Sequence, residues 1–389
     1  ERRAPATAGL LPGSTGQTDL ESQQAWHLPD PVDPKPVEQG IGVYFINLKL
    51  GRIDFASLEE RKFKSGRAGK IPQMGPRPDH INDPDYDSKS IDLPGLELLG
   101  ARQEAFLKKW GEDWTGVERK VVLSQTAFCG AVHKHGNFNN RLLAALDCNG
   151  WPQAPRKRVL ALIRRAKAVH LCGDQHLGVV LKHGIDGYGD GPYAFTSAAI
   201  VNTIYGRWWR PLDEKVGPNP VAHSPLPWTG DYRDGLNNRI SMIAYASPGN
   251  KADERQRGDG YGIARFDRQE RTVTFEAWPR FAEVSDGDQA RYPGWPVTMA
   301  MDDNDGRKVT GCLLKLAFKE GENPVVQVID ESTDEVLYTH RVSGNRFQPA
   351  VYSDGPFTIK TGRNRPEHVL LRHVNVDQEK TFRSTLEGE

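Results

Sequence analysis

The stretch His170-Leu171-Cys172-Gly173-Asp174-Gln175-His176 sets a carboxylate and an imidazole two residues apart at the end of an apolar run. Ala168 to Cys172 reads as a buried strand. Gly173 lets the chain turn, and Asp174 and His176 follow where a strand end is expected to open onto a cleft. A carboxylate oxygen and an imidazole nitrogen in that place suit borderline metals such as Fe, Zn or Mn. The same residues also fit a plainer role, with Asp174 capping the next turn and His176 on the surface. His133 and His135 form a second pair, in Ala-Val-His-Lys-His-Gly-Asn. On a strand both imidazoles would share one face; beside Gly136 and Asn137 they equally fit a solvated loop, and no third ligand is near in sequence. His170, inside the apolar run, reads as a core histidine.

Residues 147–156, Asp-Cys-Asn-Gly-Trp-Pro-Gln-Ala-Pro-Arg, bring Asn149, Trp151 and Arg156 close together. An arginine beside a carboxamide and an indole suits a phosphate. Alternatively Asn149-Gly150 is a turn and Pro155 opens a helix that Arg156 continues. Arg61, Lys62, Lys64 and Arg67 read as a solvated basic loop. Met-Asp-Asp-Asn-Asp-Gly (301–306) lacks the glutamate that an EF-hand needs at its twelfth position.

The elements that must position these residues follow from periodicity. Residues 1–40 are poor in apolar side chains and spaced by proline, and read as an extended arm. Val43, Phe45 and Asn47, then Ile53 and Phe55, alternate around Gly51 as in a hairpin. Residues 62–95 are dense in turn formers. Leu99, Phe106, Leu107, Trp110 and Trp114 fall on one helical face. Residues 120–128 form a β-branched strand, 140–147 and 156–167 read as helices, and 168–172 is the next strand. Such alternation predicts an α/β sheet with helices packed on it and right-handed crossovers. Beyond residue 240 the helical period disappears, and short strands recur between turn signals, as in a β-sandwich. The expected layout is an arm over 1–40, an α/β domain over 41–304 and a small all-β sandwich over 305–389.

The chain has 389 residues, enough for two or three domains. Its 51 basic and 51 acidic residues cancel, so no net field favours nucleic acid or an anionic membrane. Four cysteines, none in Cys-x-x-Cys spacing, exclude a zinc knuckle and read as buried thiols; a Cys129–Cys148 disulfide has no support. No apolar run reaches the roughly 18 residues of a transmembrane helix. The oligomeric state and the compartment are not legible.

Taken in order, Leu98 to Trp110, Lys120 to Phe128, Asn149 to Leu160 and Val169 to Leu177 resemble the alkaline phosphatase D family of calcineurin-like metallophosphoesterases. Tyr261 to Asp267 and Thr272 to Arg280 are similar to its closing strands, and Phe55 to Gly66 to its Leu-acid-x-Arg stretch, with Glu59 and Arg61 at the matching positions. The resemblance covers residues 25–300. It implies a two-sheet sandwich flanked by helices and hydrolysis of phosphate mono- and diesters at a metal centre, iron with calcium foremost. It also implies export to the periplasm or beyond. Asp174 and His176 would be metal-proximal and catalytic. Arg61, Asn149 and Arg156 would contact the anion, and Trp208, beside Trp209, would line the mouth. The family's upstream Gly-Asp-x-x-Tyr and Asp-Asp-His stretches have no counterpart in the chain. A C-terminal portion of a larger enzyme is therefore expected, with weak or absent activity. The competing expectation is a non-catalytic exported binding protein with a relic phosphatase fold.

Overall fold

The computed structural model describes residue 25 and residues 27–131, 142–198, 207–211, 213–247, 258–376 and 381–383. Its centre is an eight-stranded mixed sheet. The strands are β1 (Ile46–Leu50), β2 (Ile53–Ser57), β3 (Arg119–Thr126), β4 (Val169–Gly173), β5 (Val179–His183), β6 (Tyr193–Thr196), β7 (Gly230–Arg233) and β8 (Arg239–Tyr245). Their spatial order is β1-β2-β3-β4-β6-β5-β8-β7. β2, β3, β4 and β6 run parallel; the other pairings are antiparallel. The predicted hairpin is β1–β2, turned by Gly51 and Arg52, both left-handed at φ 58° and 66°. Two such residues in succession match the right-handed twist of the strands they join.

One face of the sheet carries both described α-helices, α1 (Gly100–Glu112) and α2 (Gln153–Arg165). Phe106, Leu107 and Trp110 of α1 and Val159, Leu160 and Ile163 of α2 pack on Phe45, Ala56 and Val122. The opposite face is covered by a three-stranded antiparallel sheet of β9 (Gly260–Asp267), β10 (Thr272–Pro279) and β11 (Val297–Ala300). Phe195 stacks on Phe275 at 5.0 Å between the two sheets. A Cβ on Gly262 would come within 2.4 Å of Phe195, so only glycine permits this approach. The α/β class and two stacked sheets are thus present, with the described helices on one face instead of flanking both.

The described part of the stretch from 140 to 147, residues 142–147, is not a helix. Ala144–Ala145 is a short strand paired antiparallel with His80–Ile81. Leu142, Ala144 and Leu146 are buried while Leu143 and Ala145 are only partly so, a period of two. The polar stretch from 301 to 306 is a fastened junction. Asp302 receives a bidentate Arg271, Asn304 accepts from the Tyr193 amide at 2.7 Å, and Asp305 pairs with Arg307 at 2.8 Å.

The C-terminal strands β12 (Val325–Asp330), β13 (Glu335–Arg341), β14 (Phe357–Gly362) and β15 (His368–Val374) form an antiparallel sheet in the order β13-β12-β14-β15. Leu313, Leu316, Val326, Val328, Phe357 and Ile359 give it its own apolar core. It is bound to the larger part by Arg365–Asp113 at 2.7 Å, Arg165–Glu335 at 2.9 Å and Arg341 donating to the Val117 carbonyl at 2.8 Å. The described part of the arm lies on the body, with Asp33 paired to Arg102 of α1 at 2.6 Å. All four cysteines are free thiols. Among the described residues no helix is long and apolar enough to cross a membrane.

Candidate functional site

Register places the C-terminal ends of the parallel strands side by side: Ser57 faces Leu123, Thr126 faces Gly173, and Cys172 faces Thr196. In α/β sheets ligands gather at this edge. Between Leu123 and Thr126, β3 carries an extra residue relative to β4. Such a bulge re-aims the side chains that follow it, and here it places Gln125 at the edge.

Asp174 and His176 follow β4 on the same edge, and both are left-handed, at φ 71° and 55°. Asp and His are among the few side chains that tolerate this region. Holding a non-glycine residue there costs about 1–2 kcal/mol each, so the corner is a defined turn. Between them Gln175 is buried and fastened. Its Oε1 accepts from the Ala131 amide at 3.1 Å, and its Nε2 donates to the Cys129 carbonyl. The intervening residue thus points inward. Asp174 is exposed and His176 half-buried.

Arg61 reaches this corner from the loop after β2. Its Nη2 lies 3.3 Å from Asp174 Oδ2 and its Nε donates to Gln125 Oε1 at 3.2 Å. The Arg61 and Asp174 side chains are 47% and 42% exposed, so the pair itself contributes only about 0–1 kcal/mol. Its value is geometric: a planar cation is held at the sheet edge with donors still directed to solvent.

Glu60, adjacent to Arg61, is fully buried. Its Oε1 accepts from the Gln125 amide at 2.6 Å, the Thr126 amide at 3.2 Å and Asn149 Nδ2 at 3.0 Å. Burial pushes its carboxyl above the ordinary range, against these hydrogen bonds, which pull it down. Lys64 ties the same loop to the segment bearing Asn149, donating to the Leu146, Asp147 and Cys148 carbonyls at 2.7, 3.0 and 2.7 Å. Burial lowers its ammonium to about 8. Lys64 is therefore a fastener and not part of a solvated loop.

The structure thus brings together Arg61, Gln125, Asp174, His176 and, beneath them, Glu60 and Asn149. Three residues expected to contact a ligand at this edge lie elsewhere. Asn149 is fully buried and its amide is directed at Glu60, so it supports the edge from below and faces no ligand. Arg156 is buried among carbonyls, donating to Phe128 and, at 3.1 Å, to Gly184. Trp208 is only 3% exposed and packs within the body, so it lines no mouth. Asp174 and His176 line neither of two clefts among the described residues, of about 680 and 350 Å³. His170 is the core histidine expected, with Nε2 at 2.6 Å from Ser124 Oγ and Nδ1 at 3.2 Å from His183. His133 and His135 lie outside the described residues.

Glu60 and Gln125 escaped the sequence reading. A signal existed: the acidic pair Glu59-Glu60 directly after a strand, and a glutamine at the end of Val-Val-Leu-Ser-Gln. Glu59 is buried, accepts from Lys62 at 3.2 Å and has its amide bound by Gln103 at 2.9 Å.

The donor set does not fit a metal centre by itself. Among the described residues no group of three or more His, Cys, Asp or Glu side chains could hold an ion. Asp174 is already engaged by a guanidinium. What this edge can do is meet an anion with Arg61 and present an imidazole and a carboxylate beside it.

No family model and no curated protein matches the chain. A solved structure of PhoD is similar over 93% of this chain, at 12% identity and a TM-score of 0.36. The chain spans about half the length of that protein, 49%.

Proposed function

We propose that the Arg61–Asp174–His176 edge is the phosphoryl-facing part of a phosphoesterase site acting on phosphate mono- and diesters. The observation that carries this reading is the Arg61 guanidinium, 3.3 Å from Asp174 and half exposed, at the carboxyl end of four parallel strands. It stands beside a Gly-Asp-Gln-His corner whose neighbouring segments occur in the alkaline phosphatase D order.

Arg61 would direct paired N–H groups at non-bridging phosphoryl oxygens, the geometry in which guanidinium recognises phosphate best. Asp174 and Gln125 would keep that fork in one orientation. His176, two residues from Asp174, would donate to a phosphoryl oxygen or to the leaving oxygen. Phosphoryl transfer depends on positioning and charge neutralisation, so an edge of this kind can bind an ester without completing the reaction. The iron and calcium of the resembling family, or zinc or manganese in their place, would need donors beyond the described residues. Export from the cytoplasm belongs to the same proposal.

The chain is expected to bind a phosphodiester and to turn it over weakly or not at all. Turnover of a chromogenic phosphodiester by the full chain, with and without added iron, calcium, zinc or manganese, checks this. Weak turnover lost in His176→Ala supports the site. Robust turnover indifferent to His176→Ala overturns it.

A further inference from the structure

A second basic depression lies at the other end of the sheet. Its volume is about 350 Å³, and it sits where Gly184 leaves β5 and Arg239 opens β8. Val179, the first residue of β5, pairs with Thr196, which is level with Cys172. Five residues further along β5, Gly184 is therefore at the edge away from Asp174.

Five cations line this pocket, Lys89, Arg156, Lys157, Arg233 and Arg239, against one carboxylate, Asp92. Asp92 is engaged, accepting from the Ala154 amide at 3.0 Å in the first turn of α2. The positive end of that 13-residue helix adds to the same potential. Lys157 has a partner in Asp186 at 3.1 Å, but both side chains are largely in solvent. Arg233 donates to Asn237 Oδ1 at 2.9 Å and to its carbonyl at 3.1 Å, and the Arg239 guanidinium lies 6.0 Å from the Tyr188 ring centroid. None of these contacts brings a second carboxylate to the pocket wall.

Arg156 supplies an independent observation. It is 1% exposed, and Nη2 has no hydrogen-bond partner among the described residues. The nearby Asp234 carboxylate directs its oxygens at the Gly130 amide and the Leu236 and Asn238 amides, at 2.8, 2.9 and 2.8 Å, and forms no ion pair with it. Burial disfavours the Arg156 charge, which the Asp234 carboxylate favours across space without a direct ion pair, and Arg156 lines a cleft in which cations outnumber carboxylates five to one.

We propose that this pocket binds a phosphate-class oxyanion, free or carried by a small metabolite, independently of the ester edge. Arg233, Arg239, Lys89 and Lys157 meet the oxyanion at the rim, and Arg156 neutralises it from beneath. The volume falls within the range of small-ligand sites, about 300–1,000 Å³. A proposal at this end of the sheet does not rest on the phosphoesterase reading.

Titration calorimetry of the full chain at low salt tests it, with inorganic phosphate and with glycerol 3-phosphate as probes. Binding is expected, weakening by about tenfold or more in the double variant Arg233→Gln/Arg239→Gln. Arg61→Gln is expected to leave it unchanged. Arg233 is exposed and Arg239 half-buried; should their double variant melt early, Lys89→Gln/Lys157→Gln, both exposed, reads the same loss. Tighter binding of glycerol 3-phosphate assigns the site to a metabolite, and equal or weaker binding to free phosphate. Absence of binding by either probe up to about 10 mM, or loss in Arg61→Gln with the pocket variants unaffected, overturns the proposal.

Discussion

Removing the Glu60 carboxyl tests the scaffold on which the ester edge stands. Its Oε1 accepts from two backbone amides and from Asn149, at 2.6, 3.2 and 3.0 Å, with the side chain fully buried. Glu60→Ala leaves those donors without an acceptor. Each orphaned buried donor costs about 1–3 kcal/mol. Because the three share one acceptor their losses do not add, and a total of about 3–5 kcal/mol is expected. Glu60→Gln keeps an amide oxygen in place of Oε1 and is expected to cost about 1 kcal/mol. The pH dependence separates charge from shape. Burial raises the folded carboxyl above its ordinary value of 4.5, so above that value the folded chain holds a proton that the unfolded chain has released. Stability from this group therefore falls as pH rises from 4.5 through the raised folded value, and Glu60→Gln removes that fall. Urea unfolding followed by tryptophan fluorescence at several pH values measures both effects. The reasoning is refuted if Glu60→Ala lies within about 1 kcal/mol of Glu60→Gln, or if Glu60→Gln leaves the pH profile unchanged.

Lys120 and Asp54 are both buried and pair at 3.0 Å, with the ammonium also donating to the Trp110 and Asp113 carbonyls. Lys120→Met is expected to destabilise by about 3–5 kcal/mol, and Asp54→Leu/Lys120→Met by clearly less, since no charge then stays buried alone; urea midpoints of the two variants read the difference. Burial and the nearby Arg156 lower His170 from 6.5 to about 3. Between those values the unfolded chain takes up a proton that the folded chain refuses, so stability falls as pH drops through this window, by up to about 1.4 kcal/mol per pH unit. His170→Gln should flatten part of that fall in melting scans across pH 4–6 (roughly the middle of the window), leaving the share due to His183, which burial also lowers.

Local signals carried well into the structure. The alternation around Gly51 is the β1–β2 hairpin, and the apolar face from Phe106 to Trp110 is the buried side of α1. Residues 142–146 did not carry, because Leu-Leu-Ala-Ala-Leu suits a helix and a strand alike. What decides the matter is His80–Ile81, more than sixty residues earlier in the chain, which offers a pairing edge. The site follows the same rule. That Asp174 and His176 follow a strand end was legible, because a glycine ends an apolar run before them. Glu60 was not, since its burial comes from the bulge in β3 and from Asn149, 89 residues away. Arg156 and Trp208 look like contacts of the ester edge in one dimension, and long-range packing has buried both away from it.

Arg61 is the group on which the functional reading turns, and its removal gives the most direct test. The dissociation constant of a non-hydrolysable phosphodiester analogue, measured by calorimetry for the full chain and for Arg61→Ala, isolates binding from turnover. Loss of a charge-assisted fork on phosphate predicts weakening by about tenfold or more, equivalent to about 1.5–3 kcal/mol, with Arg233→Gln/Arg239→Gln unchanged. An Arg61→Ala chain that binds the analogue as tightly as the native chain would contradict the account.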